Sequence, residues 1–281
     1  MFFIMPDFPE QSKWLSTAEK DFILRRLKED RLEVGSEETP LTARRVVRVI
    51  SQPKILLAGI YYFVSVVPTY AYSFFAPSII YSYTTGAVHT QLISVPPWAC
   101  GFTAALILAA LSDHLKHRSS FAIAPMCLAV AGYAVLLHVH GEEQASTQYA
   151  MIFLIVLGMW TALPIIICWT TMNVTQPADR AIAMGWIIGF GNIGGMPAAY
   201  LFQEDQDGYS QGFAISLGMV LVSMAFGLLY TGVCWLENRR RLRQLAHNDW
   251  AESSPSEGKI SGTHTVEESS RQSGVGSLNM L

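Results

Sequence analysis

Long apolar stretches alternate with short polar connections between residue 54 and residue 236 of the chain. Each stretch is long enough for a helix to cross a hydrocarbon core of about 30 Å. The apolar residues come in continuous blocks, which differs from the alternating pattern of barrel strands. The pattern therefore predicts six transmembrane helices, over residues 54–83, 92–111, 121–139, 149–169, 181–202 and 213–236.

The positive charges predict the orientation of these spans. All 19 lysines and arginines lie in the two terminal segments and in the second and fourth connections, or at their borders. The other three connections contain no Lys or Arg, and their acidic residues are Glu142, Glu143, Glu204, Asp205 and Asp207. Because lysine and arginine mark cytoplasmic connections, we expect an integral protein of the plasma membrane with both termini cytoplasmic.

The polar ends divide the chain into residues 1–53, 54–236 and 237–281. Ser16 and Glu19 have the spacing of a capping box, which predicts an amphipathic helix that continues to about Arg31. A loop is expected over 33–40. Residues 41–50 alternate arginine with valine and isoleucine and could lie on the inner membrane surface. From His247 onward the chain is rich in Ser, Gly and Glu, which predicts a disordered cytoplasmic tail.

Composition argues against several classes of function. The net charge of −3 averages a basic side with acidic loops and an acidic tail, so no nucleic-acid partner is expected. The four cysteines lie in or beside the spans without C-x-x-C spacing, which favours small buried hydrophobes over a metal site. No charged residue lies inside a span, and no nucleophile with a base can be assembled, so neither an enzyme nor a cofactor is expected.

The fifth span contains a cluster of small residues. It matches G-x-G-x-x-G, but a dinucleotide fingerprint must follow a strand and open a helix, so nucleotide binding is not expected. Small residues let neighbouring helices approach closely and let a helix bend. The residues assigned to helix packing are Gly185, Gly189, Gly191, Gly194 and Gly195. Asn192 lies among them and needs a polar partner, either as a link between helices or as a substrate contact.

Prolines and aromatic residues indicate where a cavity could lie. Pro68 interrupts the first span and frees a backbone carbonyl that only protein or a cavity can satisfy. Tyr70 and Tyr72 lie deep in this span and either face the cavity or pack. Trp169 and Asn173 follow a proline in the fourth span.

A short basic turn joins the second and third spans. It contains Asp113, which could pair with a helix end and hold a cytoplasmic gate, or simply anchor the loop.

Several short motifs follow one another along the chain in a characteristic order. They are MPDFP at 5–9, KWL at 13–15, Glu19 with Arg26 and Leu27, SFFAPSII at 73–80, QLISVPPW at 91–98, LSD at 111–113 and GFGNIGG at 189–195. In this order they resemble the fungal anion:cation symporters, the allantoate, nicotinate and pantothenate permease group of the major facilitator superfamily. The resemblance covers residues 1 to about 245. One departure is His114, which stands where the superfamily pattern favours arginine after the aspartate.

This resemblance implies a transporter of two six-helix bundles, with substrate bound between them. The chain looks like the C-terminal bundle, an all-α fold of two inverted three-helix repeats, and like a fragment whose first ten residues end a missing sixth helix. The implied partners are a small organic anion, protons, the lipid bilayer and the missing N-terminal six-helix bundle.

Two functions remain open. The first is the C-terminal half of a secondary transporter for small organic anions, such as vitamins or nitrogenous carboxylates, coupled to protons and working by alternating access. In this hypothesis Asp113 and Arg118 stabilise the gate, and the cavity is lined by Tyr70, Tyr72, Trp169, Asn173 and Asn192. The second is a non-transporting six-helix scaffold or regulatory protein, or an inactive truncated transporter.

Overall fold

The computed structural model describes residues 16–33, 42–81, 86–115, 117–139, 144–174, 176–202 and 210–253, and all regular elements within these ranges are helices. In chain order they are α1 (Thr17–Glu33), α2 (Ala43–Ile50), α3 (Pro53–Tyr81), α4 (Ala87–Leu115), α5 (Arg118–Leu136), α6 (Ala145–Met172), α7 (Pro177–Asn192), α8 (Gly195–Ala198) and α9 (Ser210–Ser253). Six stretches of helix are long and apolar enough to span a membrane, which confirms the six predicted spans.

The helices extend beyond the apolar blocks that predicted them. For example, α4 continues past residue 111 through Asp113 and His114. Polar residues end a hydropathy block without ending a helix. In the same way α9 continues to Ser253, beyond the expected span end at 236 and past His247, where disorder was expected. The expected loop beyond Glu33 and the tail from residue 254 lie outside the described residues.

The fifth span is not one continuous helix. α7 ends at Asn192, a turn follows at Ile193 and Gly194, and α8 begins at Gly195. Glycine is a poor helix former, and Pro197 lacks the amide that would bond to the carbonyl of Ile193 in a regular helix. The amide of Met196 donates to that carbonyl instead, at 3.0 Å. The glycine cluster therefore produces a break in the helix.

The two halves of the bundle pack in equivalent ways. When α3, α4 and α5 are matched to α6, α7 and α9, the contact of α4 with α6 corresponds to that of α7 with α3. The packing of α5 on α6 corresponds to that of α9 on α3, and α3 with α6 and α5 with α9 meet between the halves. An odd number of spans in each unit makes the units inverted. This is the predicted fold of two inverted three-helix repeats.

Among the described glycines, those at the seam between α5 and α6 mark the closest approach of two helix backbones. A Cβ atom at Gly158 would lie 2.6 Å from the backbone nitrogen of Ala129 and 2.7 Å from the carbonyl oxygen of Pro125. A Cβ at Gly132 would lie 2.7 Å from the Ile155 side chain. The two backbones therefore approach closely because these positions carry no side chain.

The bundle exposes apolar side chains on its outside. Leu92, Phe102 and Leu106 of α4 all point outward, as expected of a surface that meets lipid or another bundle. Cys100, Cys127 and Cys168 are exposed on such surfaces, and Cys234 is buried. The prediction that all four cysteines are buried is therefore wrong for three, because in a membrane protein an apolar position is not necessarily an interior one.

α1 begins with the predicted capping box. The backbone amide of Ser16 donates to Oε2 of Glu19 at 2.9 Å, and the amide of Glu19 donates to Oγ of Ser16 at 3.4 Å. The helix differs from the amphipathic one expected, because its apolar residues are spread around the axis and Phe22 is largely exposed. α2, by contrast, does have distinct apolar and polar faces.

The capping box predicts a pH dependence at the start of α1. Hydrogen bonds from the Ser16 hydroxyl and amide lower the pKa of Glu19. A lowered pKa means that the ionised form stabilises the helix above the ordinary carboxyl value and that this contribution is lost as the pH falls through the lowered pKa. We expect the protection of amides at the start of α1 against hydrogen exchange to fall under acid conditions, and Ser16→Ala, which removes the hydroxyl and keeps the backbone amide, to weaken that dependence. Thr17→Ala is the control and should retain it.

Candidate functional site

Tyr70 and Asn192 form a polar link between α3 and α7. The Tyr70 hydroxyl donates to Oδ1 of Asn192 at 2.9 Å. Asn192 is exposed and Tyr70 is half-buried, so the pair lies at the surface of this bundle. Asn192 is also the last residue of α7, directly before the helix break. An exposed amide and phenol thus lie beside irregular backbone within an apolar span.

Three of the predicted packing glycines bring this break against α3. A Cβ at Gly191 would lie 2.1 Å from the Tyr62 ring, and a Cβ at Gly195 would lie 2.9 Å from the Tyr70 ring. A Cβ at Gly194 would lie 3.1 Å from the carbonyl oxygen of Phe63. The break is therefore seated on α3 at the level of Tyr70.

The other two glycines of the cluster lie on the open side. A Cβ added at Gly185 or at Gly189 would meet nothing within 4 Å. The same helix therefore has a close-packed edge and an open edge, and the open edge adjoins Asn192.

Aromatic rings line α3 and α7 near the Tyr70–Asn192 pair. Trp186 stacks on Phe190 with ring centroids 5.0 Å apart and planes 14° apart. Phe190 in turn lies 5.4 Å from Phe63, and Tyr70 lies 6.0 Å from Phe74, which is 53% exposed. We call the surface formed by Phe63, Tyr70, Phe74 and Asn192 the α3–α7 face. It combines flat aromatic surfaces with one amide and one phenol.

Trp169 and Asn173 lie in a second cluster, on α6. Trp169 is fully buried, and its ring meets that of Tyr230 edge to face, with centroids 4.8 Å apart. The Asn173 side-chain amide is also buried and donates to the Tyr230 hydroxyl and to Sγ of Cys234, each at 3.4 Å. The structure thus brings these two residues together around Tyr230 of α9.

Tyr72 is placed differently from Tyr70. It is buried, and its ring centroid lies 6.5 Å from that of Trp98 on α4. Two residues along a helix point to nearly opposite sides, so Tyr70 and Tyr72 cannot share one surface of α3. The five predicted cavity residues therefore fall into three places, of which only the Tyr70–Asn192 pair is exposed.

Asp113 and Arg118 form an ion pair between the end of α4 and the start of α5. The Arg118 side chain is 9% exposed and that of Asp113 is 65% exposed, so the pair has one buried and one water-facing partner. The Arg118 guanidinium also donates to Sγ of Cys168 and to Sδ of Met172 at the end of α6. The pair joins three helix ends at one side of the bundle.

A further ion pair, which sequence reasoning missed, joins α3 to α9. Lys54 Nζ lies 2.7 Å from Oε2 of Glu237 and 3.5 Å from the carbonyl oxygen of Asn173. The only sequence signal is one charge at the border of the first span and one just beyond the last. Their separation of 183 residues makes the pairing impossible to read from local pattern.

Loss of this pair should loosen the same end of the bundle. Lys54→Met removes the Lys54 ammonium group from the partly buried Glu237 carboxylate, and we expect the free energy of unfolding to fall by about 1 kcal/mol. Thermal unfolding in detergent measures this change. The double variant Lys54→Glu/Glu237→Lys should regain most of the loss, and failure to do so would show that the effect of Lys54→Met is not due to the ion pair.

Comparison with known proteins supports a relation to transporters. The chain is 26% identical over 249 residues to the MFS-type transporter cnsO of Penicillium expansum, covering 85% of this chain and 48% of the relative. It is 26% identical over 245 residues to the major facilitator-type transporter hxnP of Emericella nidulans, with the same two coverages. With the high-affinity nicotinic acid transporter of Saccharomyces cerevisiae it shares 24% identity over 216 residues, 76% of this chain and 40% of the relative. No family model matches.

The chain is similar to fungal major facilitator transporters. It spans about half the length of the curated relatives that it matches. Together with six apolar helices, this similarity identifies an integral membrane protein. Its all-α fold with six apolar helices fits the C-terminal half of such a transporter.

Proposed function

We propose that this bundle is one half of a secondary transporter for small organic anions, coupled to protons, and that it works by alternating access with a second six-helix bundle. The observation that carries the proposal is the exposed Tyr70–Asn192 pair beside the break between α7 and α8. Unwound backbone and polar side chains within a span are tolerated where they meet protein or a water-filled cavity, and not where they meet lipid. The α3–α7 face is therefore proposed as one wall of the transport cavity.

The name of one relative supports the proposed class of substrate. One of them is named as a nicotinic acid transporter, and nicotinate is a flat aromatic carboxylate. The α3–α7 face offers rings for stacking and the Asn192 amide for hydrogen bonding, but no cation among its residues. We propose that the positive group for the carboxylate comes from the second bundle.

The remaining predicted cavity residues are proposed to support this wall from behind. Trp169 and Asn173 fix the end of α6 against α9 through Tyr230. Tyr72 fills the space between α3 and α4. In this arrangement they set the spacing of the helices and do not contact the substrate.

The basic residues support a cytoplasmic orientation of one end of the bundle. The ion pairs Arg118–Asp113 and Lys54–Glu237 lie at this end, because Arg118 and Lys54 both reach the C-terminal end of α6. Positive charge concentrated at one end marks the cytoplasmic side. We propose that this end is cytoplasmic and that the two pairs form its gate.

Uptake measurements test the proposed function. The chain would be expressed alone, and also as a form extended by an upstream six-helix reading frame, in fungal cells that lack their own permeases. We expect uptake of labelled nicotinate, pantothenate or allantoate by the extended form, stimulated by external acid. No uptake by a form that reaches the membrane intact would contradict transport of these anions and favour the scaffold hypothesis.

A further inference from the structure

α2 has an inward face that holds it to the bundle. Val49 is buried and packs with Ile55 of α3 and Ala183 of α7. On the same side Arg45 Nε donates to Oδ1 of Asp179 at 2.7 Å, and Arg45 Nη2 donates to the Gln176 side chain at 3.1 Å. The positive charge of this face is compensated within the protein. α2 is therefore fixed to the start of α7 by an apolar contact and an ion pair.

The outward face of α2 is built differently. Arg44, Val47 and Arg48 are all exposed, Val47 to 63%. Val47 and Arg48 lie three and four residues after Arg44, which places Arg44 at the centre of this face with Val47 and Arg48 on either side of it. Within the described residues neither Arg44 nor Arg48 takes part in an ion pair. This face thus presents two guanidinium groups without an ion-pair partner among the described residues, and one exposed apolar side chain at its edge.

The position of the outward face of α2 indicates which part of the bilayer it contacts. α2 ends at Ile50 and the first span begins at Pro53, while the start of α7 at Pro177 marks the beginning of another span beside it. Helix ends of this kind lie where hydrocarbon gives way to lipid headgroups. At this depth a guanidinium group meets phosphate, and a valine beside such groups meets the upper part of the acyl chains.

We propose that Arg44, Val47 and Arg48 form a binding surface for anionic phospholipid headgroups. The two positive charges complement a headgroup with net negative charge, such as phosphatidylserine, while a zwitterionic headgroup offers no net attraction. The bound lipid covers Val47 and holds α2 against the bilayer, and the Arg45–Asp179 pair transmits that position to α7. The proposal depends on insertion of the bundle into a bilayer and not on the transported substrate.

Lipid titration of the purified full chain tests this surface. Fluorescent phosphatidylserine is titrated into the protein in detergent, with phosphatidylcholine carrying the same label in parallel. We expect a preference for phosphatidylserine that the double variant R44Q/R48Q weakens by about fivefold for each arginine, with phosphatidylcholine unchanged. The double variant R25Q/R26Q removes the same charge from exposed positions of α1 and should keep the preference.

Three results would overturn the proposal. One is an equal loss in R25Q/R26Q, which would show a general charge effect. Another is an unchanged preference in R44Q/R48Q. The third is evidence that the acidic C-terminal segment, and not lipid, covers this surface. In that case deletion of residues 254–281 would raise phosphatidylserine binding several-fold, and cross-links from V47C would reach that segment. Because Arg44 and Arg48 are exposed, R44Q/R48Q should retain wild-type helix content, which circular dichroism checks.

Discussion

Gly158→Val should lower the free energy of unfolding of the bundle by about 3 kcal/mol, the upper part of the range for overpacked cores. The first added carbon alone would lie 2.6 to 2.8 Å from the backbone and Cβ of α5. Backbone atoms cannot move aside as a flexible side chain can, so α5 and α6 must separate. Unfolding in detergent with increasing SDS, followed by circular dichroism, measures the loss.

Gly218→Val is the matched control for this substitution. Gly218 lies within α9, where a Cβ would meet nothing within 4 Å. The two substitutions share the same change in helix propensity. The difference between their effects on the free energy of unfolding therefore measures the contribution of close packing at the α5–α6 seam. Gly158→Ala should fall between them. If Gly158→Val and Gly218→Val had equal effects, close backbone contact at the seam would not be a source of stability.

The spans could be predicted from the sequence, whereas the course of the helices inside them could not. Hydropathy reports where a chain is apolar enough for lipid, and that condition alone identifies all six spans. It does not report where hydrogen bonding continues, so α4 includes Asp113 and α9 continues through Arg240 into the polar segment. The break after Asn192 was indicated only as a possible bend by the neighbouring glycines.

The glycines show why packing was harder to predict than spans. Gly189 and Gly191 are two residues apart in one motif, yet one faces open space and the other faces the Tyr62 ring. Which side of α7 meets α3 depends on the arrangement of the whole bundle, and the motif contains no information on it. For the same reason Gly158, which has no glycine neighbours to draw attention to it, was missed.

The candidate site was predicted one residue at a time and not as a group. The cost of an unpaired amide within a span required a partner for Asn192, but nothing local identified Tyr70, which is 122 residues away. Trp169 and Tyr72 have the composition of cavity residues and are buried in packing. Side-chain type predicts that a residue needs a hydrogen-bonding or packing partner, and the fold determines which residue that partner is.

Asn192→Leu should lower the uptake efficiency of the extended transporter by about tenfold or more. Leucine keeps the size of the side chain and removes the amide proposed to hydrogen-bond the substrate, together with the acceptor of the Tyr70 hydroxyl. One lost hydrogen bond that leaves its partner on the bound substrate unsatisfied is equivalent to about 1–3 kcal/mol. Initial rates of labelled nicotinate uptake at several concentrations measure it. Thr103→Val on α4 is the control, because Thr103 is also exposed in a span and its hydroxyl donates to the carbonyl of Ala99 in its own helix.

The pairing of Asn192 with Tyr70 allows the two roles of the amide to be separated. If Asn192 only links α7 to α3, Tyr70→Phe removes the same bond, the double variant is no worse than either single variant, and bundle stability falls with uptake. If the amide contacts the substrate, Asn192→Leu raises KM beyond the effect of Tyr70→Phe while stability changes little. We expect the second pattern, because within the described residues the amide nitrogen donates no hydrogen bond and the side chain lies at the open edge of α7 beside Gly189.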